Sequence, residues 1–488
     1  MSSPLTLLLL CLIAACLTAY LIAQWKQPQD RLPHPEQGPL SQRFLVELSP
    51  PQVEAWAREI QHDGLMEYYG ILGQRRVLVT DPKAIHDIFQ THAYSYVKPP
   101  AVSKLLKSVL GEGLVVRRRQ PSAFKLRSVK DLYPLFWSKT AELVHILGKE
   151  NEGRDSIDVL DYHNRVTLDI IAAGGFGMDI GSLTHPGNQF YSAYMQGFLP
   201  SKHAQMYRLL ALIFPEWILD ALPLKRNQEL RGAVRAVGNR IREKVSSLDG
   251  KAETRNDIIH AVSQDGAVMD AEMLVNQCLT FLGAGHDTIA QSLNWAIYEL
   301  SLNKNVQTSL RKEVQELLPG LSEKRELKSN DLERLDNTPF LEAVCNEILR
   351  LHPPIHHLHR QSLHAVNLCG HELPKGTKFI ISIGAMNRCP ELWSNDPSKF
   401  DPDRWVVDAK GGMKDRQAFL SFSQGPRLCI GERFARAEMA FIIAGLVQNF
   451  DMEFAGAGED GQFHDVKLEY GTTTRFDGAL RIRLTPFR

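Results

Sequence analysis

The ten residues Phe422-Ser-Gln-Gly-Pro-Arg-Leu-Cys-Ile-Gly431 set one cysteine between two glycines, an arginine and a phenylalanine. A thiol in a glycine-rich turn that leads into a helix meets free backbone N–H groups, which favour a thiolate, and a thiolate is a metal ligand. The plain alternative is a buried structural cysteine, and Cys429 by itself does not choose between the two.

Three further groups could do chemistry. Ala284-Gly285-His286-Asp287-Thr288 puts two small residues beside an acid and an alcohol. Inside a helix these could open a groove for a diatomic ligand, with the hydroxyl disturbing the backbone ladder, or they could simply serve helix packing. Glu347 and Arg350 lie three residues apart on one helix face, a spacing usually filled by a solvated ion pair. His352, His356, His357, His359 and His364 are dense enough to suggest zinc, but two prolines interrupt the spacing and no cysteine or carboxylate pattern completes a tetrahedral set.

The pattern Phe-x-x-Gly-x-Arg-x-Cys-x-Gly resembles the haem-binding signature of the cytochrome P-450 family. The resemblance implies that Cys429 is the axial thiolate of a haem b iron. It gives Phe422 the sulfur side of the haem to pack on, Gly425 the tight turn and Gly431 the close approach of the helix, and it pairs Arg427 with a propionate. Ala284, Gly285, Asp287 and Thr288 resemble the family's oxygen-activation motif, with Asp287 and Thr288 relaying protons. Glu347 and Arg350 resemble its Glu-x-x-Arg motif, completed by Arg404 in Phe400-Asp-Pro-Asp-Arg-Trp405 as a structural network under the haem loop. Arg360 corresponds to a strand arginine that reaches a propionate, and residues 355–358 to a segment in contact with substrate.

The elements that must position these residues are mostly helices. Apolar spacing from Met273 to Ile297 predicts a long helix over 270–301 through the core, and Thr338-Pro339 and Pro353-Pro354 bracket another. Residues 65–73 and 76–80 read as paired strands, Asp81-Pro82 opens a short helix, and strands return near 367–383. The fold class expected is mainly α with small β sheets, the cytochrome P-450 fold behind one N-terminal transmembrane helix.

From Leu5 to Trp25 no residue is charged, and a helix of that length spans about 30 Å, the thickness of a bilayer core. Three segments are expected: an anchor over 5–25, a proline-rich linker over 26–44, and a catalytic domain over 45–488. Lys26 and Arg31 follow the anchor and no basic residue precedes it, which places the domain in the cytosol. Seven scattered cysteines give no disulfide framework, and 56 basic against 56 acidic residues give no general attraction to nucleic acid.

The resemblance implies a monooxygenase on the endoplasmic reticulum membrane. It would take O2, and electrons from NADPH through a flavoprotein reductase, to hydroxylate or epoxidise a lipophilic small molecule, with fungal secondary metabolism as the setting. A haem-thiolate isomerase or dehydratase would use the same cysteine without a reductase, and a non-catalytic haem-binding membrane protein would keep the loop without turnover. One stretch departs from the family pattern. After Gly111-Glu-Gly-Leu114 the family carries an aromatic residue and, four positions on, an arginine at the propionates; here the chain reads Val-Val-Arg117-Arg118-Arg119-Gln-Pro121. The basic run from Arg117 through Lys125 and Arg127 to Lys130 is a solvated face or a docking site for an acidic redox partner.

Overall fold

The computed structural model describes residues 32–36, 49–70, 73–110, 126–198, 225–246, 271–318, 327–456 and 466–487, with a few single positions between. The anchor expected over 5–25, the stretch 111–125 and most of the linker lie outside the described residues. Among the described residues no helix is long and apolar enough to cross a membrane. The part of the linker that is described is docked: Leu32 is buried, and the Pro33 carbonyl accepts from the Glu67 N–H at 2.9 Å. A proline has no N–H of its own to satisfy, so it can cap an edge strand with its carbonyl alone.

Twelve strands occur among the described residues. β1 (Leu65–Gly70), β2 (Gln74–Val79) and β3 (Tyr96–Val97) precede the helical body, and β4 (Ile157–Asp158) lies within it, between the helices Tyr133–Asn151 and Leu160–Phe176. β5 (His357–Ser362), β6 (Val366–Leu368), β7 (His371–Leu373) and β8 (Lys378–Ser382) follow it, and β9 (Phe450–Phe454), β10 (Leu468–Tyr470), β11 (Thr474–Phe476) and β12 (Arg481–Pro486) close the chain. The main sheet runs β1-β2-β8-β5-β3. At its centre Phe379, Ile380 and Ile381 are buried on both faces, so β8 is a continuous apolar run rather than an alternating one. β3 pairs antiparallel with β5, Tyr96 opposite Ser362 and Val97 opposite Gln361, which brings the chain around Lys98 next to Arg360.

The helices follow from their capping and apolar patterns. Asp81 caps Pro82–His86 by accepting from the Ala84 N–H at 2.7 Å, and the next turn, Asp87–Thr91, widens to a π-helix. The long helix spans Ala271–Leu302 and lies in the core against Leu160–Phe176 and Glu432–Asn449. Pro339–Leu351 starts after Thr338 as its sequence predicts, but Thr338 does not cap it: its hydroxyl donates to the Arg334 carbonyl at 3.0 Å. Glu313, from the helix Lys304–Leu317 two elements earlier, accepts instead from the N–H groups of Phe340 (2.9 Å) and Leu341 (3.1 Å). A carboxylate at a helix N-terminus meets both the orphan donors and the dipole, so the distant cap is the stronger one.

Candidate haem-thiolate site

The cysteine loop is held as a chain of turns. Gly425–Arg427 forms a single 3-10 turn, the Leu428 N–H donates to the Gly425 carbonyl at 3.0 Å, and the Cys429 N–H donates to the Phe422 carbonyl at 2.8 Å. Gly425 has φ +60°, and a Cβ there would stand 2.3 Å from the Phe89 carbonyl oxygen. Only glycine meets both demands, so the loop lies flat on the π-helical turn. A Cβ at Gly431 would meet nothing within 4 Å, so this start of the helix Glu432–Asn449 faces open space.

Cys429 is exposed, in a recess whose protein walls still strip much of its water. That desolvation pushes its thiol up; the Gly431 N–H pulls it down and the Glu432 carboxylate adds to the rise, with a net upward shift. The Gly431 N–H thus acts in the direction expected of a turn donor but does not set the net shift. Dehydration and a neighbouring carboxylate outweigh it, and a bound metal cation would have to remove the proton.

Three cations converge beside this loop. Burial first, and then the charges of Arg360 and Arg427, push Lys98 down to about 8. Burial and, after it, the charge of Arg427 lower Arg360 to about 10. Arg427 donates to the Ala93 and Tyr96 carbonyls at 3.5 and 3.4 Å, and Arg360 donates to the His359 carbonyl at 2.8 Å and lies over the Phe89 ring. A dehydrated cluster of like charges asks for an anion, and the two propionates of a haem supply that charge. Open space at Gly431, an accessible sulfur and three convergent cations fit the group that the sequence implies. Lys98 was not singled out in the sequence; the signal was a lone lysine between a short strand and Pro99-Pro100, legible only once β3 is paired with β5.

Beneath the loop, Glu347 and Arg350 are fully buried and form two bonds of 2.8 Å. Glu347 also accepts from Arg404 Nε (3.0 Å), Trp405 Nε1 (2.9 Å) and the Asp401 N–H (2.9 Å). Arg350 donates to the carbonyls of Asn387 (2.8 Å) and Pro397 (2.6 Å). Asn387 continues the chain: its amide donates to the Ser421 hydroxyl at 2.9 Å and its oxygen accepts from the Leu420 N–H at 3.1 Å. The network thus ends one residue before Phe422, whose carbonyl holds the Cys429 N–H. Burial works against the Glu347 charge, but Arg350 and Arg404 hold its carboxyl below its usual range.

On the central helix the five motif residues face different ways. Ala284 is exposed although Phe281, Leu282 and Ile289 of the same helix are buried, and the Thr288 hydroxyl donates to its carbonyl at 2.7 Å. The helix runs on through this point, so the hydroxyl shares the backbone acceptor and does not break the ladder. Gly285 does not face the groove: a Cβ there would lie 2.9 Å from Ile171, so this glycine serves the packing of Ala271–Leu302 on Leu160–Phe176.

Asp287 does not stand free beside Thr288. Its Oδ1 pairs with Arg475 at 2.7 Å and accepts from Gln291 at 3.2 Å, and its Oδ2 accepts from the Thr473 hydroxyl at 2.6 Å. Adjacent helical residues project about 100° apart, so the acid reaches the C-terminal hairpin while the alcohol follows Ala284. Burial raises Asp287, but Arg475, His286, Thr473 and Gln291 outweigh it and hold the carboxyl below its usual range.

The histidines scatter among carboxylates. His352 meets Glu299 at 2.7 Å and stacks on Trp295, and His356 meets Glu54 at 3.2 Å. Of residues 355–358, Ile355 and Leu358 pack against the core under the main sheet, and His356 lines a cavity of about 470 Å³ with Tyr470. Lys130 is paired with Glu333 at 2.6 Å, and Arg117, Arg118, Arg119 and Lys125 lie outside the described residues.

Comparison with known proteins adds to this geometry. The family model described as cytochrome P-450 matches residues 63–467. The chain is 36% identical to the cytochrome P-450 monooxygenase sphH of Aspergillus fumigatus, over 84% of this chain and 80% of that one. It is 30% identical to the cytochrome P-450 monooxygenase ALT8 of Alternaria alternata, over 89% of this chain and 85% of that one. Among solved structures, the haem domain of cytochrome P-450DA superposes with a TM-score of 0.75 at 21% identity, covering 94% of this chain and 97% of that one; this likeness is of fold alone.

Proposed function

The chain belongs to the cytochrome P-450 family and is an oxidoreductase of its monooxygenase kind; on that premise we propose that it inserts one oxygen atom from O2 into a lipophilic small molecule, by hydroxylation or epoxidation. Electrons come from NADPH through a flavoprotein reductase. Residues 5–25 tether the domain to the endoplasmic reticulum membrane with its catalytic part in the cytosol, and the substrate belongs to secondary metabolism. Support for the tether is the uncharged run itself and the basic residues that follow it.

The observation that carries the reading is the meeting of Lys98, Arg360 and Arg427 beside the accessible Cys429. Cys429 would ligate the iron, and the three cations would hold the propionates. Bound there, the haem would supply the activation of O2 that no amino-acid side chain provides. The chain's own residues orient and protect it. Glu347, Arg350 and Asn387 fix the loop under the sulfur, Gly425 lets it lie on the π-helical turn, and Thr288 keeps an exchangeable proton on the open face of the central helix.

The test is the haem-loaded protein, reduced and bound to carbon monoxide. A strongly red-shifted Soret band is expected, together with NADPH- and reductase-dependent products from a panel of lipophilic compounds. Turnover that needs no NADPH would transfer the reading to an isomerase or dehydratase. An unchanged spectrum in Cys429→Ser would remove it altogether.

A further inference from the structure

Gln291 and Asn294 follow Asp287 by four and seven residues, so the three side chains share one face of the central helix. They are linked in a line. Gln291 Nε2 donates to Asp287 Oδ1 at 3.2 Å, Asn294 Nδ2 donates to Gln291 Oε1 at 3.2 Å, and Asn294 Oδ1 stands 2.7 Å from Nδ1 of His163 on the helix Leu160–Phe176. Gln291 and Asn294 are buried, and His163 is wholly so.

Chemistry sets the direction of this line. Burial raises the Asp287 carboxyl, but Arg475 and the groups around it hold it below its usual range; it is a carboxylate, and a carboxylate only accepts. Gln291 must therefore turn its NH2 to Asp287 and its oxygen to Asn294, and Asn294 must turn its NH2 to Gln291 and its oxygen to His163. Burial lowers His163 to about 4 against an upward pull from Asn294, so the ring is neutral at neutral pH and carries one proton. That proton sits on Nδ1, because the other tautomer would set a ring lone pair against the Asn294 oxygen at 2.7 Å. Nε2 is then a buried lone pair with no partner among the described residues.

The two oxygens of Asp287 are left unequal. Oδ1 receives Arg475 and the end of the amide line, whereas Oδ2 receives the Thr473 hydroxyl at 2.6 Å, a group that can rotate from donor to acceptor. A proton on Oδ1 would require both amides and the His163 tautomer to reverse together; a proton on Oδ2 requires only that hydroxyl to turn. We infer that His163 is a positioning residue for the acid of the central helix: through Asn294 and Gln291 its Nδ1–H fixes Oδ1 as an acceptor and makes Oδ2 the oxygen by which Asp287 takes up a proton and hands it on. The carboxylate is 15% exposed, so that proton is drawn as hydronium from solvent; Oδ2 gains it, releases it, and is a carboxylate oxygen again when the turnover closes. The turnover part of this inference rests on the monooxygenase reading and on the proton relay that the motif implies; the tautomer of His163 does not.

The test uses the full, haem-loaded chain with isotope-labelled histidine, reduced and bound to carbon monoxide so that it is diamagnetic, and read by nitrogen NMR. His163 is assigned as the signal lost in His163→Asn. A neutral ring protonated at Nδ1 is expected in the parent. Gln291→Leu alters no group bonded to the ring, yet should let the Nε2-protonated form rise to about half or more, because Asn294 is then free to turn. With NADPH, O2 and reductase, His163→Leu should put ~3-fold fewer electrons into product and raise the solvent deuterium isotope effect, with the ratio of products from one substrate unchanged. His163→Asn, whose amide can donate in place of Nδ1–H, should stay within ~1.5-fold of the parent. An Nε2-protonated ring in the parent overturns the inference, as does a parent-like tautomer in Gln291→Leu, undiminished coupling in His163→Leu, or equal losses in His163→Leu and His163→Asn. Should His163→Leu not retain haem, Gln291→Leu carries the turnover measurement in its place, with the same loss expected. No turnover of any compound by the parent protein sinks the monooxygenase reading and leaves the tautomer to judge His163.

Discussion

Lys98 and Arg360 are lowered by burial and by the like charge of Arg427 beside them, a strain that a bound anion would relieve. A hydrogen bond to a charged group contributes roughly 1.5–3 kcal/mol. Removing one cation should therefore weaken haem binding about tenfold or more while the protein stays folded. Lys98→Leu and Arg360→Leu are the variants, and haem transfer to an acceptor protein measures the loss. Relief of repulsion predicts a second outcome: without haem, Arg360→Leu should be at least as stable as the parent. Cys429 carries the complementary expectation. Its thiol is pushed up, so alkylation of the haem-free protein should be slower than that of a free thiol at neutral pH and should speed up as pH rises.

At the level of elements, the Glu347 network couples three pieces of chain that are distant in sequence. Its charges are wholly buried, and removing one partner of such a pair leaves the other unpaired, a loss of about 3–5 kcal/mol. Glu347→Ala should lower the unfolding free energy by that amount in chemical denaturation, and haem should be lost first because Asn387 no longer holds Leu420 and Ser421 in place. Gly425→Ala should be nearly as harmful through a different cause, since its Cβ would meet the Phe89 carbonyl and its φ is positive. Expression of the variant without retained haem would be its signature. Glu347 and Arg350 were legible as an i,i+3 pair, and the family motif supplied Arg404; Trp405, Asn387 and Ser421 were not legible. They join through a side chain and backbone atoms spread over some 75 residues, a relation that no local spacing encodes.

Over the whole molecule, burial sets the response to acid. His163, His286 and His357 are lowered to about 4 and His359 to about 3, with burial the first cause in each, from an ordinary value of 6.5. Between those values the unfolded chain binds protons that the folded chain refuses. Stability from these groups is thus fully present above about 6.5 and is lost as pH falls towards 4, at up to about 1.4 kcal/mol per pH unit for each histidine. The denaturation midpoint of the haem-loaded protein should therefore fall between pH 7.5 and pH 5, and His359→Gln should flatten that slope. A midpoint insensitive to pH over this range would contradict the burial of these rings.

The sequence by itself determined the elements and the sulfur. The apolar spacing of the central helix, Asp81-Pro82 and Thr338-Pro339 as helix starts, and the pattern around Cys429 are short-range features, set by backbone geometry within a few residues. Only the tertiary structure decided what those residues face. Gly285 packs against Ile171, Asp287 turns to Arg475 nearly 190 residues later, Glu313 replaces Thr338 as a cap, and Lys98 joins Arg360 across a strand pair. Direction around a helix axis is fixed by which neighbour packs there, and such neighbours are brought together by burial of the whole chain rather than by any local rule.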